Sequence, residues 1–138
     1  MDNNKKTGSR GVIWTGRTIS TLCILFLLFD SIAKIVRAKP SVEGTLSLDF
    51  PDQIVVPLGV VILFFTVLYA VPRTSVLGAI LLTAHMGGAV AIFLQKFYGH
   101  ASFLFPLLFC VMLWAGLFLQ NERLRRIVPF EKISDDSK

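Results

Sequence analysis

The sequence predicts an all-α fold, a transmembrane four-helix bundle, and three observations predict it. Four apolar blocks, at about 17–36, 54–71, 74–94 and 102–119, come close to or reach the ~20 residues that an α-helix needs to cross ~30 Å of hydrocarbon. The breaks between them are short and polar, and one consists of Pro72 and Arg73 alone. Lys and Arg gather at alternate ends of the blocks, as the resistance of these side chains to translocation requires.

Composition points the same way. A soluble domain carries about a quarter charged residues, whereas this chain of 138 residues is 17% charged and 54% hydrophobic. Its mean hydropathy of +0.67 comes from long blocks, and these exceed what a soluble core of this size has to bury. The formal charge of +5 does not indicate nucleic acid, because the basic residues form short clusters beside apolar blocks and do not line one helix face. Cys23 and Cys110 each lie inside an apolar block with no CxxC or Cys/His spacing, so neither a zinc site nor a thioredoxin-like motif is present.

Residues 1–15 are polar, contain Lys5, Lys6 and Arg10, and are expected to form a tail. The first span follows from Arg17. A signal peptide also begins with positive charge and an apolar run, but this run is long for one, and Asp30 and Lys34 stand where a cleavage site requires small neutral residues. A retained helix is expected. In the polar stretch 37–53, Val42, Leu46 and Phe50 recur at four-residue spacing, which fits either a short amphipathic surface helix or a loop tucked against the bundle.

Pro57 falls in the first turn of the second block, where its missing N–H costs nothing, and Pro72 ends that block. A break of two residues forces the second and third spans into an antiparallel hairpin. Lys96, Tyr98, Gly99 and His100 form the next break, and Pro106 lies near the start of the fourth block. The segment 121–138, with Arg123, Arg125 and Arg126 and an acidic end, is expected to be a soluble tail flanking a bundle at 16–120.

Counting charges orients the bundle. One side holds Lys5, Lys6, Arg10, Arg17, Arg73, Arg123, Arg125, Arg126, Lys132 and Lys138; the other holds Lys34, Arg37, Lys39 and Lys96, accompanied by Glu43, Asp49 and Asp52. The richer side is expected to be cytoplasmic, with both termini on it.

In lipid every backbone group is bonded within its helix, so side chains carry the distinguishing information. Ser20, Cys23, Leu27, Asp30 and Lys34 share one face of the first span, and that stripe is expected to face protein. Asp30 precedes Lys34 by four residues, the favourable order for a helical ion pair. An ionisable pair at membrane depth is either structural or a ligand or proton site. In the third span Ala79, Thr83, Gly87 and Ala91, extended by Ala84 and Gly88, form a small-residue ladder for close helix packing. Such a ladder serves packing within the chain or a homo-oligomer. Leu82, Met86, Val90 and Phe93 fall opposite and are expected to face lipid.

His85, at the margin of the small face near mid-membrane, is expected to hydrogen-bond a neighbouring helix, the alternative being a quinone or proton role. Haem ligation is disfavoured because the other histidine, His100, lies in the outer break. Trp14, Tyr69, Tyr98 and Trp114 are expected to include interface anchors, with Trp114 a candidate for packing deeper in the bundle. The chain has no P-loop, dinucleotide fingerprint, HExxH or nucleophile elbow.

The order of motifs resembles the DoxX-like family of small bacterial membrane proteins across roughly 14–130. The stretches that carry it are Trp14-Thr15-Gly16-Arg17, Phe26 to Lys34 with its Asp30-Ser31, Val56-Pro57-Leu58-Gly59, Pro72 to Thr83, Gly87-Gly88-Ala89-Val90-Ala91, Trp114-Ala115-Gly116-Leu117 and Arg123-Leu124-Arg125. The resemblance implies a four-helix bundle in a bacterial inner membrane. Related DoxX and DoxD proteins are linked with quinone-coupled sulfur oxidation or membrane redox assemblies, while most DoxX-like members have no assigned activity, so no catalytic residue carries over.

The expected function is a non-catalytic membrane subunit or scaffold, with lipids and another membrane or redox protein as partners. The alternatives are a quinone-linked oxidoreductase subunit using Asp30, Lys34 and His85, and a small proton-coupled transporter. No catalytic residue, metal site or cofactor motif is evident, and a quinone is the cofactor the polar residues admit.

Overall fold

Helix α1 spans Asn3–Ile35 in the computed structural model, which describes residues 3–97, 100–121 and 124, with side chains from residue 10 onward. At 1.5 Å per residue this helix is about 50 Å long, well beyond the hydrocarbon thickness. The stretch expected to be a polar tail is therefore helical from Asn3, and it extends α1 by several turns past the apolar block. The segment expected to be a C-terminal tail lies outside the described residues apart from Asn121 and Leu124.

α1 ends in a Schellman-type closure: Ala38 N–H reaches the Ala33 carbonyl at 2.8 Å while Arg37 takes the left-handed conformation, φ 55°. Glycine usually fills that position. Here the Arg37 guanidinium grips both oxygens of Asp52, at 2.6 and 2.7 Å, and so ties the end of α1 to the approach to the next span.

Between them lies α2, Lys39–Leu46, which settles the choice between helix and loop. Its buried residue is Thr45, with Ser41 and Val42 half-buried, whereas Leu46 is exposed. The inward face is thus one residue away from the expected Val42/Leu46/Phe50 line. Helix α2 stops at Leu46, and Asp49, at φ 62°, turns the chain before Phe50 can join that face.

A 3₁₀ turn, Asp52–Ile54, leads into α3, Val55–Ala70, with Pro57 in its first turn. Val71 is extended, as the residue before Pro72 must be. α4, Ser75–Lys96, begins four residues later, and a second 3₁₀ turn, Ala101–Phe103, precedes α5, Leu104–Gln120. All four long helices are apolar enough to cross a membrane, and no strand occurs among the described residues.

α1 packs against α3 and α5, and α4 packs against the same two, so α1 and α4 face each other across the diagonal. The core takes residues from every spanning helix: Cys23 and Leu27, Ile62 and Tyr69, Ala79 and Leu82, and Phe109, Leu113 and Leu117. The outside is equally apolar, with Phe29, Phe105, Leu108 and Phe64 exposed. A helix apolar all round belongs in lipid. The fold is a transmembrane four-helix bundle. Its proximal end carries the start of α1, the α3–α4 turn and the end of α5; its distal end carries α2 and the α4–α5 connection.

Close approach is set by single glycines. A Cβ at Gly116 would lie 2.5 Å from Ser20 Oγ, one at Gly16 2.7 Å from Leu119 Cβ, and one at Gly59 2.8 Å from Lys34 Cβ. These positions let α5 and α3 sit directly on the backbone of α1.

Candidate functional site

Ionic groups are distributed unequally between the two ends. All four described acidic residues, Asp30, Glu43, Asp49 and Asp52, belong to the distal half. Three are paired: Asp30 with Lys34, Asp52 with Arg37, and Asp49 with Lys96 at 2.5 Å. The last two pairs are exposed, and such pairs stabilise by about 0–1 kcal/mol. The Asp30–Lys34 pair is different, because the Lys34 side chain is only 13% exposed and Asp30 34%.

The stripe expected to face protein does so. Ser20, Cys23, Leu27 and Ser31 are buried along α1, with Asp30 on its shoulder and Lys34 against Gly59 of α3. His85 lies half-buried on the diagonally opposite α4. Of the three residues singled out in the sequence, Asp30 and Lys34 are brought together as an ion pair. The imidazole makes no hydrogen bond to any described residue, contrary to the interhelical bond expected of it.

The small-residue ladder divides. Ala79 is fully buried, and the Thr83 hydroxyl donates to the Ala79 carbonyl at 2.7 Å while accepting from Trp114 Nε1 at 2.8 Å, a clasp between α4 and α5 that Cys110 also approaches. Trp114 thus packs in the bundle. Gly87, Gly88 and Ala91 are exposed, and a Cβ at either glycine would meet nothing within 4 Å. The face assigned to lipid is also corrected: Leu82 is fully buried and Met86 packs against the core.

The reason is helical phase. The inward line of α4 runs Ser75, Ala79, Leu82, Met86, alternating four- and three-residue steps, with Gly78 beside it. A ladder of strict four-residue steps drifts about 40° per step, so by Gly87 it has rotated off the interface.

At the proximal end the structure holds a polar cluster that sequence reasoning missed. Tyr69, expected among the interface anchors, is 3% exposed, and its hydroxyl donates to the Leu113 carbonyl at 2.9 Å. With that proton committed, Ser20 Oγ must donate to Tyr69 Oη, at 3.0 Å. Ser20 Oγ in turn accepts from Gln120 Nε2 at 2.6 Å, and the same amide nitrogen lies 3.0 Å from the Gly16 and Gly116 carbonyls. Two carbonyls at one amide atom fix it as nitrogen. The chain of donors runs from Gln120 through Ser20 to Tyr69 and α5, joining α1, α3 and α5 at one point.

Beside this cluster lies a cavity of about 490 Å³, walled by Arg17, Ser20 and Thr21 of α1, Tyr69 of α3, Ser75 of α4 and Gln120 of α5. The volume is that of a small-ligand site. The sequence offered one clue, four hydroxyl or amide residues at the same ends of four apolar blocks. Tyr69→Phe is expected to destabilise the bundle by about 1–3 kcal/mol, because it leaves the Leu113 carbonyl without its side-chain donor and frees the Ser20 proton. Detergent-titration unfolding of the variant checks this, and wild-type stability would contradict the network.

Among the described residues no group of three His, Cys, Asp or Glu side chains is placed to hold a metal ion. No curated protein and no solved structure matches the chain. A family model does match, that of the DoxX-like family, over residues 18–116. That interval takes in the Asp30–Lys34 pair, both α3 and α4, and α5 as far as the glycine that seats it on Ser20. The chain belongs to the DoxX-like family, and it is a multi-pass membrane protein.

Proposed function

We propose that the protein is a non-catalytic subunit of the bacterial inner membrane, both termini cytoplasmic, whose bundle anchors a partner membrane protein through α4. The observation that supports this is the outward face of α4. Ala84, Gly87, Gly88 and Ala91 form an exposed strip without bulky side chains, against which another helix backbone can lie closely. Two adjacent glycines in the middle of a helix cost about 1 kcal/mol each against alanine, a cost that no close packing among the described residues offsets. The orientation rests on the count of Lys and Arg at the proximal end.

A photo-crosslinking residue at Ala84 or Ala91 is expected to give a discrete adduct in cells, and one at Leu108, exposed on α5, is not. Gly87→Leu is expected to abolish that adduct while leaving the stability of the isolated chain unchanged or slightly raised. Recovery of the chain alone from mild detergent at every expression level would contradict the proposal.

A second reading, a quinone-linked subunit of a redox complex, draws on the partly buried Asp30–Lys34 pair in the distal half, with the half-buried His85 on α4. A quinone carbonyl accepts hydrogen bonds from an imidazole or an ammonium, and a paired carboxylate beside them takes up protons. Quinone titration of the purified chain tests it, and binding unaltered by His85→Ala would remove it.

A further inference from the structure

The proximal cavity has a charge character that neither the donor network nor the partner-anchoring reading uses. Its hydroxyl lining is mostly committed. Tyr69 donates to Leu113, Ser20 to Tyr69, and Ser75 to the Pro72 carbonyl. Thr21 is the exception. Thr15, Thr18, Thr45, Thr66, Thr74 and Thr83 each donate to a backbone carbonyl, whereas the Thr21 hydroxyl has no partner among the described residues.

One turn before Thr21 on the same face is Arg17, whose guanidinium makes no ion pair among the described residues. Most distal cations contrast with it, since Lys34, Arg37 and Lys96 have carboxylate partners, and of the four described there Lys39 alone has none among the described residues. No described acidic residue lies at the proximal end, while Arg10 and Arg73 add to its positive field. Glu122, which follows the cavity-wall residue Asn121 in sequence, lies outside the described residues.

A guanidinium and a free hydroxyl four residues apart on one helix, at the mouth of a cavity, form a cradle for an oxyanion. The other wall is apolar, built by Ile24, Ala70 and Leu117. The site lies where the bundle meets the headgroup region, because Arg17 marks the start of the apolar part of α1 and Pro72 the turn between α3 and α4.

We propose that this cavity binds a phosphate oxyanion carried on the headgroup of a phospholipid, with Arg17 and Thr21 holding the phosphate and the apolar wall receiving the adjoining glycerol and upper acyl chain. The proposal is independent of the partner assigned to α4, since the cavity and the Gly87/Gly88 strip are separate surfaces.

The test uses the full chain in mild detergent and native mass spectrometry, titrating phosphatidylglycerol, phosphatidylcholine or inorganic phosphate. One phosphatidylglycerol per chain is expected to bind in preference to phosphatidylcholine, whose choline masks the phosphate charge. Arg17→Gln is expected to weaken that binding by about tenfold or more, the effect of losing a hydrogen bond to a charged group. Thr21→Val keeps the side-chain shape and is expected to weaken it less. Arg73→Gln, which removes a nearby charge outside the cavity wall, is expected to leave it within about twofold, the effect of a screened exposed charge.

Both cavity positions are exposed, and matched thermal unfolding of each variant shows that the bundle is intact. Binding unchanged in Arg17→Gln, or equal retention of the two lipids, would overturn the proposal. Binding of inorganic phosphate that displaces the lipid at equal concentration would overturn the lipid as the source of the oxyanion.

Discussion

Gly78→Ala is expected to destabilise the bundle by about 3 kcal/mol, the largest effect of adding a methyl group at any described glycine. A Cβ at Gly78 would fall on the backbone nitrogen and Cα of Tyr69 and on the backbone carbonyl carbon of Leu68, with no flexible side chain in between to move away. The turn between α3 and α4 is too short to absorb the displacement, because Pro72 fixes one side and the Thr74 hydroxyl bonds back to the Leu68 carbonyl at 2.8 Å. The damage would extend to the proximal cluster, since any shift of Tyr69 lengthens its bond to Leu113. Unfolding of the purified variant in a detergent titration measures the loss. A midpoint equal to wild type would show that α3 and α4 do not approach as described, and Gly87→Ala, which meets nothing within 4 Å, is the matched control.

Asp30→Asn is the second large effect, expected to cost about 2 kcal/mol and to exceed the cost of Asp30→Asn combined with Lys34→Met. The order of these variants follows from burial. Lys34 is 13% exposed and packs over Gly59, so loss of its carboxylate leaves an ammonium with little water and no other anion described beside it. Asp30 is 34% exposed, which places the expected cost below that of a fully buried pair. The double variant removes the stranded charge and replaces the lysine stem with a side chain of similar length, so stability is expected to recover in part. A double-mutant cycle in detergent reads the coupling directly, and a coupling within error of zero would show that the pair is a surface feature.

Much of the fold was legible because membrane helices announce themselves by length and apolarity, a signal that needs no tertiary knowledge. The two-residue break at Pro72 and Arg73 specified the α3–α4 hairpin for the same reason. Periodicity along α1 also pointed correctly, since Ser20, Cys23, Leu27 and Lys34 line the inward stripe. In α4 it misled. Small residues were read as one packing face, within the chain or in a homo-oligomer, with Leu82 and Met86 opposite on the lipid side, yet a lipid-exposed glycine and a packed one are indistinguishable without helix phase, and Leu82 is as acceptable inside a bundle as outside it.

The packing glycines, Gly16, Gly59, Gly78 and Gly116, stand singly, three of them in apolar runs and Gly16 at the edge of one, while a Cβ on either of the conspicuous pair Gly87-Gly88 would meet nothing within 4 Å among the described residues. What distinguishes them is the partner backbone, and that is fixed only by assembly. The proximal network was hidden for a related reason: Gln120 and Tyr69 stand at block ends, where polar residues ordinarily meet headgroups. Their inward turn depends on Gly16 and Gly116 drawing α1 and α5 together.

The central claim is that four helices cross the bilayer and bring the α1 start and the α3–α4 turn to one face. Single-cysteine variants in a Cys23→Ser, Cys110→Ser background test it directly, labelled in intact cells and in inverted vesicles with a membrane-impermeant maleimide. Cysteines at Arg10 and Arg73 are expected to label only in inverted vesicles, and those at Glu43 and His100 only in intact cells. Labelling of Arg10 and Glu43 from the same side would contradict the account.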